Sequence, residues 1–162
     1  MTIAVGDKLP EAELFEMTAE GPGKVSLGSL TAGKTVAMFG VPGAYTPTCH
    51  LKHMPSFVDQ AGALKAKGVD AILCVTVNDP FVVGEWAKAT GAADAGIRVL
   101  GDSDAALVKA MGLDFDGSVV GLGARSQRFS ALVRDGEIAI LAVEDAPSKA
   151  EATTAEALLA AI

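Results

Sequence analysis

Basic residues and cysteine are both in short supply, and long apolar runs are missing altogether. Thirteen Lys and Arg stand against twenty Asp and Glu, a net charge of −7, which repels a phosphate backbone and anionic lipid headgroups alike. Nucleic acid and membrane are therefore poor partners. No segment approaches the ~20 consecutive apolar residues that a bilayer span needs. The first ten residues, MTIAVGDKLP, lack the basic stretch and apolar run of a secretory leader. A cytoplasmic location is the resulting expectation. The only cysteines are Cys49 and Cys74, too few and too far apart for a disulfide framework, a Cys-x-x-Cys redox pair or a zinc site. No His/Cys/Asp cluster at metal spacing occurs, so a metal site is not expected. Any chemistry rests on single thiols.

What is present reads as one α/β domain spanning residues 1–162. That length matches the ~100–150-residue mode of single domains. A composition half hydrophobic and one-fifth charged is ordinary globular usage. No repeat, low-complexity tract or linker divides the chain, and Val119 to Ala124 reads as an irregular loop. Lys34 to Val41 (KTVAMFGV) and Val69 to Val77 (VDAILCVTV) are nearly apolar on both faces, as central strands of a parallel sheet are. Between them Leu51, Met54, Phe57, Val58, Ala61 and Leu64 recur at intervals that suit an amphipathic helix, closed by Lys65, Lys67 and Gly68. Strand, helix and strand make a right-handed βαβ unit.

Asn78-Asp79-Pro80 then opens a helix that carries Trp86 and ends near Thr90, and Ile97 to Leu100 is a further strand. Asp102-Ser103-Asp104 caps a helix with Leu107, Val108 and Met111, stopped by Gly112. Gln127 to Arg134 and Glu137 to Val143 flank Asp135-Gly136, a two-residue hairpin signal, and an alanine-rich helix from Ala150 to Ile162 closes the chain. The sheet is thus mixed, parallel in the middle and antiparallel at the hairpin.

The segment Val41-Pro-Gly-Ala-Tyr-Thr-Pro-Thr-Cys49 lies at the carboxyl end of a strand, where ligands of open α/β sheets collect. Thr46 suits the N-cap and Pro47 the first helical position, which puts Cys49 in the first turn of the helix. Unpaired N–H groups and the positive dipole end favour a thiolate there over a thiol. A capping Thr46 hydroxyl would bond the backbone near Cys49 and could also meet a substrate oxygen.

The pattern Pro42-x-x-x-Thr46-x-x-Cys49 resembles the peroxidatic signature of the peroxiredoxins. Gly40 to Cys49, with His53-Met-Pro55 and Phe57 after it, is similar to the peroxiredoxin 5 (type II) subfamily. Cys74 to Asp79, Gly84-Glu-Trp86-Ala and Arg128-Phe-Ser130 follow in that family's order, so the resemblance covers nearly the whole chain. It implies a thioredoxin-like fold with a central mixed sheet flanked by helices, no cofactor, and a homodimer. It also implies that Cys49 is the peroxidatic nucleophile with Thr46 and Arg128 as partners, that Pro42 shields the pocket, and that hydroperoxides are the substrate. The chemistry is consistent: displacement at oxygen needs a thiolate, and hydrogen-bond donors for the departing oxygen.

Residue logic alone does not prefer Arg128 over Arg125, since a surface ion pair is the usual fate of either; the Arg-Phe-Ser match selects Arg128. His50 and His53 read as solvated or hydrogen-bonded helix residues, Pro55 as a bend in the helix, and Cys74 as a buried, inert thiol. No cysteine lies near the C-terminus, so an external thiol, glutathione with glutaredoxin, is the expected reductant of the Cys49 sulfenic acid. Thioredoxin is the alternative. The rivals from other classes are a cysteine hydrolase, for which the only histidines sit on the nucleophile's own helix, and a peroxide-responsive redox sensor that reacts once without turning over.

Overall fold

The two apolar runs form the centre of a seven-stranded mixed sheet in the computed structural model, which describes residues 1–162. In chain order the elements are β1 (Glu13–Thr18), β2 (Gly21–Ser26), α1 (Leu27–Thr31) and β3 (Thr35–Val41). A π-helical turn (Cys49–His53) runs directly into α2 (Met54–Ala66), followed by β4 (Ala71–Thr76), α3 (Pro80–Thr90), β5 (Ile97–Gly101) and α4 (Ala106–Ala110). Then come β6 (Asp114–Asp116), β7 (Ala124–Ser126), β8 (Phe129–Arg134), β9 (Glu137–Val143) and α5 (Ala155–Ala161). The sheet order is β2-β1-β5-β4-β3-β8-β9, with β6 and β7 as a separate pair.

Pairing of β3 with β4 and of β4 with β5 is parallel; that of β3 with β8 and of β8 with β9 is antiparallel. The period of two along each strand sorts side chains into two cores. Ala37, Phe39, Val41, Ile72 and Cys74 face α2, α3 and α5, in the same layer as Cys49; Val36, Met38, Leu73 and Val75 face α1 and α4. Both faces being covered explains why these runs show no polar alternation.

Several local expectations hold. Asp79 caps α3 by accepting from Val82 N–H, and Gly91 closes it in the left-handed region at φ 78°. Asp135 and Gly136, at φ 49° and 78°, make the hairpin turn. Other expectations shift. Asp102 reaches past the start of α4, accepting from the N–H groups of Leu107 (3.1 Å) and Val108 (3.0 Å). The strand expected from Gln127 begins at Phe129. The last helix begins only at Ala155, because residues 144–154 are spent as a strap over the carboxyl end of the sheet. The β1–β2 hairpin carries Gly21, Pro22 and Gly23 in its second strand, residues that disfavour a strand reading and are accommodated because β2 is an edge.

Leu51 does not join the buried face of the helix; it is exposed, and the cause lies in the turn before α2. Pro55 has no N–H and its ring would strike the carbonyl four residues back, Leu51, in a regular helix. A π turn, in which Met54 N–H bonds to Cys49 C=O, supplies the extra room. The expected bend is therefore a widened turn. It swings Leu51 and Lys52 outward and leaves Cys49 and His53 buried.

Candidate active site

The loop after β3 is pinned before it reaches the thiol. Ala44 N–H donates to Asn78 Oδ1 (3.0 Å), which also accepts from the Thr76 hydroxyl (2.6 Å). Tyr45 takes a left-handed conformation, φ 65°, that turns the chain into the helix. Thr46 C=O accepts from His50 N–H (2.9 Å), so Thr46 does stand at the helix start. Its hydroxyl, however, donates back to Gly43 C=O (2.7 Å) and does not cap the helix. The N–H groups of Thr48 and Cys49 consequently have no protein acceptor, as is usual for the first helical turn.

Arg128 reaches across from the residue before β8. Its Nη2 donates to Cys49 Sγ (3.2 Å) and to Pro147 C=O (2.8 Å), and its Nη1 meets His53 Nδ1 (2.9 Å). Arg128 as a residue is 1% exposed, and its guanidinium forms no ion pair with a carboxylate. A buried cation needs a compensating charge, and the Cys49 sulfur is the one group in contact with it that can carry one. Arg128 Nε is the only buried side-chain nitrogen or oxygen left without a partner.

A cavity of about 330 Å³ opens onto this group, walled by Pro42, Thr46, Phe115, Leu122 and Pro147, with Arg128 at its floor. Cys49 is fully buried behind it. Pro42, Thr46 and Arg128 thus line one opening, and Cys49 lies behind it in contact with Arg128. A larger cavity of about 400 Å³ lies between β1, α3 and β5 and is lined by neither cysteine. No group of three His, Cys, Asp or Glu side chains converges to hold a metal.

Cys74 sits in β4 opposite Phe39 and Val99, fully buried. Burial chiefly, and then the neighbouring Cys49, push its thiol well above the ordinary range, against a smaller opposing pull from Arg128. It stays a thiol in the sheet interior.

Three features escape a reading of the sequence. His53 is fully buried against Arg128, with Nε2 2.9 Å from Thr153 C=O; its spacing of four from Cys49 was the available signal. Arg125, for which a surface ion pair was the ordinary expectation, forms none: it donates from Nε to Leu122 C=O (2.9 Å) and from Nη1 to Pro42 C=O (3.2 Å), bracing the loop that carries Thr46. The strap after β9 is gathered by one Glu144 oxygen, which accepts from the N–H groups of Glu151 (2.7 Å) and Thr153 (3.1 Å) and from the Thr153 hydroxyl (3.1 Å). Burial opposes ionisation of Glu144, but these donors outweigh it and hold its carboxyl below the usual range. Outside the pocket, the indole N–H of Trp86 donates to His50 Nδ1 (3.0 Å), and Tyr45 stacks on His50.

A thiol held at a helix start by a guanidinium, on a sheet of this order, defines a thiol-redox domain, and the family model described as Redoxin matches residues 4–159. The chain is 48% identical over 148 residues to the chloroplastic Peroxiredoxin-2E-2 of Oryza sativa subsp. japonica, a match covering 89% of this chain and 66% of that protein. It is 46% identical to the mitochondrial Peroxiredoxin-2F of Arabidopsis thaliana, covering 84% of this chain and 67% of that one. The structure of reduced Prx3 from Vibrio vulnificus in complex with hydrogen peroxide superposes with a TM-score of 0.93 at 44% identity, covering 99% of both chains. The chain belongs to the peroxiredoxins, in their type II group, and has the thioredoxin-like fold of that family of thiol peroxidases.

The cytoplasmic expectation is corrected by the same relatives. One is named as chloroplastic and another as mitochondrial, so a default drawn from the composition of the first residues does not hold in this family.

Proposed function

We propose that the protein reduces hydrogen peroxide and alkyl hydroperoxides through Cys49 and is recycled by glutathione with glutaredoxin. The thiolate attacks the terminal peroxide oxygen; the S–O bond forms as the O–O bond breaks. Cys49 becomes a sulfenic acid, and the departing hydroxide or alkoxide takes a proton from solvent. Arg128 and the free N–H groups of Thr48 and Cys49 stabilise charge on the departing oxygen. Thr46 lines the entry, and the apolar walls at Pro42, Phe115 and Leu122 suit an alkyl substituent. The observation that carries this reading is the buried, carboxylate-free guanidinium on the sulfur, with Nε still free to donate.

Glutathione then attacks the sulfenic sulfur, releasing water and leaving a mixed disulfide. A second thiol takes the glutathione sulfur and frees the Cys49 thiolate. Burial of Cys74 in the sheet, and the lack of a cysteine in the strap, support an external reductant. The test is steady-state peroxide consumption by wild type, Cys49→Ser and Cys74→Ser, with glutathione and glutaredoxin or with thioredoxin. Turnover lost in Cys49→Ser, kept in Cys74→Ser and supported by glutaredoxin is expected. A Cys49–Cys74 disulfide after one equivalent of peroxide, or turnover with thioredoxin alone, would overturn the reductant assignment.

A further inference from the structure

We infer that His53 is a positioning residue that fixes the guanidinium of Arg128 against the Cys49 sulfur. This rests on Cys49 and Arg128 acting as proposed above. Thr153 C=O can only accept, so at 2.9 Å the imidazole proton must sit on Nε2. Nδ1 is then a bare acceptor, and Arg128 Nη1 donates to it at 2.9 Å. The opposite tautomer would set two donors face to face. His53 packs edge-on against Phe39 (5.1 Å, 60°) and Phe57 (5.6 Å, 65°), which stack on each other and hold the ring plane. Burial chiefly, with the Arg128 charge second, keeps its pKa at about 3, so it accepts from Arg128 as a neutral ring.

The planar guanidinium is thus held at three points, Cys49 Sγ, Pro147 C=O and His53 Nδ1. Nη1 has no other acceptor. Without Nδ1 the head is free to rotate about its remaining contacts, and the Nη2–sulfur geometry is lost. Because the far side of the same ring bonds Thr153, the strap reaches Arg128 twice, directly at Pro147 and through the imidazole.

Two isosteres separate the two bonds. Asn places an amide oxygen where Nδ1 lies and keeps the acceptor for Arg128; Gln places its amide nitrogen near Nε2 and keeps only the donor to Thr153. The second-order rate of Cys49 with hydrogen peroxide should fall roughly 10–100-fold in His53→Gln and His53→Phe, the fold-change of one hydrogen bond to a charged group, with most of it restored in His53→Asn. In an Arg128→Met background, His53→Phe should cost nothing further. Equal losses for Asn and Gln, or additive losses with Arg128→Met, would show a merely structural histidine. Imidazole ¹⁵N spectra read the contact without peroxide: Nδ1 unprotonated and hydrogen-bonded in wild type, moving to the non-bonded position in Arg128→Met. A protonated Nδ1 overturns the positioning itself. A wild type inert to peroxide but with a bonded Nδ1 overturns the peroxidase reading and with it the catalytic role, leaving the contact in place.

Discussion

At the residue scale, the two arginines before β8 separate cleanly by what they touch. Arg128 contacts the sulfur and Arg125 only two backbone carbonyls. Arg128→Met should lower the rate with peroxide roughly 10²–10³-fold, the usual cost of removing a charge-directed donor. Arg125→Met loosens the Pro42 loop and should cost roughly tenfold, as one hydrogen bond does. Stopped-flow rates decide it, and equal losses would mean that contact with sulfur is not what distinguishes them. The placing of Cys49 and Thr46 at a helix start was legible from residue type and strand-end position, but the capping bond expected of Thr46 is not made. Arg128 was legible only through the family pattern, since the three residues that hold it come from distant segments: Cys49 and His53 from the helix start, Pro147 from the strap.

Among the elements, the central strands announced themselves best, whereas β1, β2, β6 and β7 gave no such signal. β3 and β4 lie within a residue or two of the expected runs because burial on both faces leaves an unbroken apolar signature. The π turn was only half legible: Pro55 marks a defect, yet a proline does not say whether the chain kinks or widens. The strap was illegible, its part from Ala150 on reading as helix while its backbone donors are drawn to Glu144. Glu144→Gln replaces a charged acceptor by a neutral one and should lower stability by about 1 kcal/mol. Denaturant melts at pH 7 measure this. Because the Glu144 carboxyl is held below its usual range, its contribution is present at neutral pH and fades as acid protonates it, so wild type and variant should converge at low pH. A constant gap down to the acid limit would mean the carboxylate charge is irrelevant.

For the whole molecule, acid stability should be governed by His53. Its folded pKa of about 3 lies below the unfolded value of 6.5, so the unfolded chain binds the extra proton between these limits and stability falls as pH drops through that window. His53→Phe, which cannot titrate, should show a flatter acid limb in denaturant melts from pH 7 to 4, whatever its stability at neutral pH. Identical slopes would remove His53 as the cause.

The single indole gives the molecule a built-in optical clock. Trp86 donates to His50, the residue directly after Cys49, from inside the core. Any unwinding that carries the oxidised sulfur out to an incoming thiol must pull His50 from the indole N–H and change its surroundings. Emission from this one fluorophore would therefore report any such opening of the nucleophile's own turn, with no label attached.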